Sequence, residues 1–218
     1  MYEFEIIFLV ALLFIIIYFV GSYRNRKIGV KYARAIKEHM TLRSEFVGFR
    51  PYGRGGFRSL CRMKDSEALT KVEMAVTLVD RENLMHYPLS LLTRDRDRLI
   101  CWGYLKDTTS ADIEILPKLN QKLLRKITSQ KQLQEVTIQK SKLKESFTFL
   151  ASDPNVAEKF LSDSQVKKHL LEAKTFIKRL SLDHDETRVY LLGELTDISL
   201  EPLLNLLFCC ADQHIRAQ

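Results

Sequence analysis

Ile6 to Val20 is an unbroken run of Ile, Leu, Val, Phe, Ala and Tyr, and no other feature of the chain restricts its fold so firmly. With Phe4 before it and Gly21, Ser22 and Tyr23 after it, the run reaches the roughly 18 to 20 residues needed to cross about 30 Å of hydrocarbon. In lipid only a helix satisfies its own backbone groups here, so the many β-branched residues do not argue for a strand. Ile6, Leu9, Leu13, Ile16 and Phe19 are the expected anchor residues, with Tyr18 and Tyr23 as interface aromatics. A cleaved signal peptide would want a basic start, a shorter core and small residues at its end. This start carries Glu3 and Glu5, and bulky Tyr18 and Phe19 stand near the end of the run. Glu5 reads best as an interfacial carboxylate; the other reading is a polar contact with a partner helix.

The flanks predict orientation. Glu3 and Glu5 precede the run, whereas Arg24, Arg26, Lys27, Lys31, Arg34 and Lys37 follow it. The positive-inside bias then places everything after the anchor in the cytosol. Three regions are expected: 1–23, a short N-terminal segment with its transmembrane anchor; 24–40, a basic juxtamembrane helix; and 41–218, a cytosolic domain. The residues after the anchor suffice for one well-cored domain or two small ones. The formal net charge is +7 and the pI about 9.2, which suits an anionic partner, either lipid head groups or nucleic acid. Cys61, Cys101, Cys209 and Cys210 form no CxxC pair and read as reduced thiols.

Ile28, Tyr32, Ala35, Ile36 and His39 fall at helical spacing in the basic segment. Arg24, Arg26, Lys27 and Lys31 are its candidate membrane-surface residues, each favouring anionic lipid by about 1 kcal/mol when near the surface. Phe46 to Arg50 reads as a strand, broken by the glycine-rich turn from Pro51 to Gly56. That turn lacks the GxxxxGK[ST] pattern of a phosphate loop. Val72, Met74, Val76 and Leu78 alternate with less apolar residues as a half-buried strand does. Leu84 to Leu92 and Leu99 to Leu105 are apolar segments of strand or short-helix type. Between them, Arg94 to Arg98 alternates Arg with Asp, the pattern of a solvated face. Asp112 to Leu116 is a strand closed by Pro117. Lys118 to Ile127 reads as an amphipathic helix, with Lys118, Lys122, Arg125 and Lys126 as candidate contacts to an anionic partner and solvated charge as the plain alternative.

Further on, Val136, Ile138, Phe147 and Phe149 suggest strands, and Val156 to Phe160 and Val166 to Glu172 suggest short helices. Phe176 to Leu182 and Arg188 to Leu195 read as strands around the loop His184-Asp185-Glu186. Ser199 is a candidate N-cap, with Pro202 in the first turn of a terminal helix whose apolar face includes Leu203, Leu204, Leu207 and Phe208. Strands and helices follow one another without a βαβ repeat, so the expected class is α+β with one N-terminal transmembrane helix. No GxSxG, HExxH or kinase set is present. Neither His184-Asp185-Glu186 nor the Cys209-Cys210 pair with His214 has metal-site spacing. No catalytic residue, cofactor or small-molecule substrate is therefore assigned, and a binding or scaffold role is the expectation.

One more pattern gives a direction. The opening Tyr2-Glu3-Phe4-Glu5-Ile6-Ile7 runs straight into the anchor. It resembles the calumin family, the coiled-coil subunit of an intramembrane chaperone at the endoplasmic-reticulum translocon. Leu91 to Leu99, Asp112-Ile113-Glu114-Ile115, Phe160 to Leu182 and Leu200 to Arg216 resemble later family segments in order, with Leu203 and Leu204 on a double-leucine position. Two departures stand out. Family members carry an acidic luminal region before the anchor and a charged coiled coil after the last helix. Here five residues precede the run and the sequence ends at Gln218. The resemblance implies a non-enzymatic factor for multipass membrane-protein insertion and folding, in the endoplasmic-reticulum membrane with a luminal N-terminus. It also implies translocon subunits, a small multipass partner, client proteins and the ribosome as partners, and a link to calcium homeostasis. The alternatives are a membrane-tethered RNA- or ribosome-binding protein and a membrane-bound enzyme.

Overall fold

A computed structural model describes residues 2–53, 55–93, 95–118, 127, 133–136 and 143–217. It begins with one helix, α1 (Tyr2–Thr41), which runs unbroken through both the anchor and the basic segment. At 1.5 Å per residue, the twenty residues from Phe4 to Tyr23 span about 30 Å, the thickness of the hydrocarbon layer. Their side chains are almost all exposed, as lipid-facing residues are. Near the end of this stretch Gly21 is buried, and beyond it Asn25, Tyr32, Ile36 and Met40 are buried along the same stripe of α1. Their spacing of four and seven keeps them on a single helix face. The expected juxtamembrane helix exists, but no break in the backbone divides it from the anchor, and its inner face is part of the domain's core.

The domain is α+β. Its strands are β1 (Ser44–Pro51), β2 (Gly56–Met63), β3 (Leu69–Thr77), β4 (Asp97–Leu105), β5 (Ile113–Pro117), β6 (Gln134–Glu135), β7 (Phe147–Ala151), β8 (Ile177–Asp183) and β9 (Arg188–Leu195). They form one antiparallel sheet in the order β1-β2-β3-β4-β9-β8-β5-β7-β6. The helices are α2 (His86–Thr93), the single turn α3 (Leu143–Ser146), α4 (Pro154–Ser162), α5 (Ser164–Ala173) and α6 (Leu200–Ala217). Asp153 and Asp163 cap α4 and α5, each accepting from a backbone N–H in the first turn at 2.8 Å, worth about 1 kcal/mol per cap.

Alternation along the strands makes one sheet face the core. Cys61, Val72, Val76, Leu99, Cys101, Leu180, Val189 and Leu191 lie there, and α1, α4, α5 and α6 cover them. α6 sits close because Gly193 gives it room: a Cβ at that position would come within 2.6 Å of Leu203. The chain turns sharply into β2 through Gly56, whose φ of +144° and distance from the Val76 carbonyl leave no space for a side chain. On the opposite sheet face, Leu116 and Leu150 pack with Ile127 and Leu133 in a small second cluster. The same face carries a buried network in which Glu114 accepts from Arg179 at 2.7 and 3.0 Å and from Ser181 at 2.8 Å.

Several expectations take definite form. The segment around Leu84 to Leu92 is a helix, α2, and Leu99 to Leu105 lies in a strand, β4. The strand from Phe46 widens to eight residues. β2 was not anticipated. Its inward row includes the polar Ser59 and its outward row includes Leu60, which blurs the period-two signal. The Arg/Asp stretch is not uniformly solvated either: Asp97 is buried and begins β4.

Candidate functional site

The feature that defines this molecule is the junction where α1 leaves the membrane and meets the sheet. Gly21 stands at the last turn of the span. A Cβ there would lie 2.2 Å from the Arg81 carbonyl oxygen, so only glycine lets the 79–82 backbone touch the helix. One turn further on, the Asn25 amide donates to the Val79 carbonyl at 3.0 Å and accepts from Arg81 at 2.9 Å. Arg81 grips Asp97 with two parallel bonds of 3.0 Å, and Asp97 accepts from the Val79 N–H at 2.8 Å. This bidentate pair is little exposed, and the surrounding bonds occupy the polar atoms that burial would otherwise leave unsatisfied. α1, the β3–β4 connection and the head of β4 are thereby fastened together at the membrane boundary. Burial, and then the nearby Asp97 and Asp197 carboxylates, push the Tyr32 hydroxyl up to about 12, so it remains a neutral phenol in the core.

The connections at this end of the sheet form a rim around the emerging helix. They are the 51–56 turn, the 78–96 connection containing α2, and the 196–199 link into α6. Met85 is 74% exposed, Leu92 81% and Ile198 74%. Arg24, Arg26 and Lys27 are exposed on α1 nearby. Lys31, two turns beyond Arg24, is paired with Asp197 at 2.6 Å. A groove of about 550 Å³ between α1 and the β1–β2 turn is lined by Asn25, Arg26, Ala33, Phe49, Phe57 and Leu78. Lys118 is exposed in the turn after β5. Lys122, Arg125 and Lys126 lie outside the described residues.

Elsewhere the reactive groups are restrained. Burial pushes the Cys61 thiol up to about 12, and the same cause raises Cys101 and Cys210 well above the ordinary thiol value. Such thiols stay protonated and are poor nucleophiles. The His39 ring stacks on Phe208, with Arg43 standing 4.4 Å over the other ring. Burial, aided by Arg43, holds the His39 pKa below its ordinary value. Among the described residues, no group of three or more His, Cys, Asp or Glu converges as metal ligands would. The outer sheet face carries Phe46, Leu60, Trp102 and Tyr104 beside Arg58 and Lys71, with the Lys71 ammonium 4.0 Å above the Tyr104 ring.

The sequence marks the apolar helix, but not the four residues that join its halves to the domain. Gly21 was counted only as span, and Asn25 was one polar residue in a basic run. Arg81 carried no motif, and Asp97 was read as one charge in a solvated series.

No protein-family model matches the chain, and no curated protein matches it in sequence. Among solved structures it is similar to the mycobacterial trehalose monomycolate transport factor A, TtfA. The TM-score is 0.42 at 10% identity, over 73% of this chain and 71% of that one. A likeness of that size carries no functional weight.

Proposed function

We propose that this protein is a non-enzymatic biogenesis factor of the endoplasmic-reticulum membrane, a chaperone subunit that works beside the translocon on multipass proteins. The observation that carries this reading is the continuity of α1: a bare apolar half for helices in the bilayer and a buried half that belongs to the domain. A partner bound to either half is held at a fixed distance from the other. The resemblance of the opening hexapeptide and later segments to the calumin family supports the translocon setting. Orientation follows from Arg24, Arg26 and Lys27 at the domain end of the span, which favours a cytosolic domain and a luminal N-terminus. The buried, protonated thiols and the engaged Asp97 and Glu114 carboxylates favour a scaffold over a catalyst. Its partners are then translocon subunits, a small multipass protein, membrane-protein clients and the ribosome.

A second reading, a membrane-tethered RNA- or ribosome-binding protein, is favoured by the outer sheet face. Aromatic rings interleaved with Arg and Lys on an open sheet suit stacked bases and phosphates. One experiment separates the two: purification of the full-length protein from gently solubilised membranes at low and then moderate salt. Translocon subunits and a small multipass partner that survive moderate salt support the biogenesis role. Ribosomes alone, lost as salt rises, support the electrostatic reading. Recovery of neither overturns both.

A further inference from the structure

The junction fixes how far the domain stands from the bilayer, and that distance is close to zero. Gly21 is the first residue after the apolar run, and the Arg81–Glu82 backbone touches it. The connection that follows, from Asn83 through α2 to Arg96, therefore starts at the height of the lipid head groups. Val79, bonded to Asn25 one turn up the helix, and Asp97, bonded to Val79 and through Arg81 to Asn25, hold both ends of that connection there. On this rim Met85, Leu92 and Ile198 expose most of their apolar surface. Exposed Arg24 and Arg96 line one hollow with Ile198, and Arg26 is exposed on α1. Of the acids here, Asp197 pairs with Lys31 and Asp95 lies 3.8 Å from Arg98, while Asp80 and Glu82 stand at the start of the connection.

We infer that this rim is a membrane-docking foot, in which α2 lies in the head-group layer of the leaflet on the domain's side and Met85, Leu92 and Ile198 enter its acyl boundary. Anionic phospholipid is the partner. Apolar side chains that enter a bilayer beside arginines gain from both burial and attraction to acidic head groups. The foot gives the protein a second attachment to the membrane, independent of the span. With two attachments the domain cannot swivel about α1, and one set of its surfaces always faces away from the bilayer. The inference rests on α1 spanning a membrane and not on any role in biogenesis.

The chain has a single tryptophan, Trp102, so position can be read by fluorescence. In a Trp102→Phe background, Leu92→Trp reports on the foot. Leu42→Trp, 80% exposed at the far end of the domain's helix segment, reports on a site away from the membrane. The full-length variants are reconstituted into vesicles of about one part phosphatidylserine to four of phosphatidylcholine, and flotation first establishes that α1 is inserted. The same vesicles are then made with acyl-brominated lipid. The expected result is blue-shifted emission from Leu92→Trp that loses about half its intensity or more on bromination, and no loss for Leu42→Trp. Equal quenching at both sites overturns the placement, because the domain would then be lying on the surface without a defined foot. No quenching at Leu92→Trp overturns the inference, whether its emission is red or blue, since a blue unquenched probe is covered by protein. Failure to float refutes the membrane reading of α1 itself and is thereby distinguished. If Trp102→Phe does not fold, photoreactive benzoylphenylalanine at 92 and at 42 in the otherwise native chain makes the same comparison. Lipid adducts at 92 alone support the foot, and adducts at neither or at both refute it.

Discussion

The two halves of α1 share one backbone and obey opposite rules. From Phe4 to Val20 every described residue except Ile17 is exposed and nearly all are apolar. From Gly21 to Thr41 the apolar residues retreat to a stripe, and Arg and Lys fill the outer face. In the first half the surroundings supply the hydrophobic phase, so no stripe is needed. In the second half most of the apolar surface lies against the sheet, with Tyr23 and Val30 as exposed exceptions. Where the rules change, the chain places Gly21 and Asn25. A glycine allows backbone contact, and an amide can both donate and accept. The difference teaches that the boundary is built by residues suited to neither half.

That contrast can be broken most sharply at the junction. Asp97→Ala leaves the Arg81 guanidinium buried without its partner, and breaking a buried pair costs about 3–5 kcal/mol. A large drop in thermal midpoint of the purified protein in detergent is expected, and an unchanged midpoint would show that α1 and β4 are not fastened there. The next test compares the halves directly. Ile36→Ala removes a fully buried core side chain and should cost about 2–5 kcal/mol, whereas Ile16→Ala in the span should leave the domain's unfolding unchanged. Equal effects would erase the distinction. Gly21→Val forces a side chain into the Arg81 backbone, and a cost of about 1–3 kcal/mol is expected, read by faster protease cleavage near residue 82.

The smallest effect concerns pH. His39 has a lowered pKa in the folded state, so the unfolded chain takes up a proton that the folded chain resists. Its contribution is complete above the unfolded value of about 6.5 and is lost as pH falls through that value toward the folded one. The thermal midpoint should fall with acidification through this window, and His39→Gln should flatten that part of the profile. A profile unchanged by the substitution would place the acid sensitivity elsewhere.

Much of this architecture was legible because it rests on periodicity. The span, the strands at Val72 to Val76 and Arg188 to Leu195, and the capped helix after Asp153-Pro154 each announce themselves within a few residues. The junction was not legible, because its meaning is distributed. Asn25 and Arg81 meet across 56 positions, and Arg81 and Asp97 across 16. Nothing local distinguishes Asp97 from Asp95 two residues earlier; only the strand that begins at Asp97 turns it inward. The foot was hidden for a related reason. Leu92 reads as core by composition, and only its place in the connection that starts beside Gly21 gives its exposure another meaning.

The order of synthesis gives the continuity of α1 one last consequence. α1 is made before the sheet and α6, and its Tyr32, Ile36 and Met40 must wait for partners that include α6, near residues 200–211. Throughout translation the span is ready to enter the bilayer while the helix segment beyond it lacks its cover. Membrane insertion can therefore precede folding of the domain, and the newly inserted helix serves as the template on which the rest of the chain condenses. A nascent chain whose first helix has not reached the membrane would carry a long exposed apolar segment through that interval, the condition that invites aggregation.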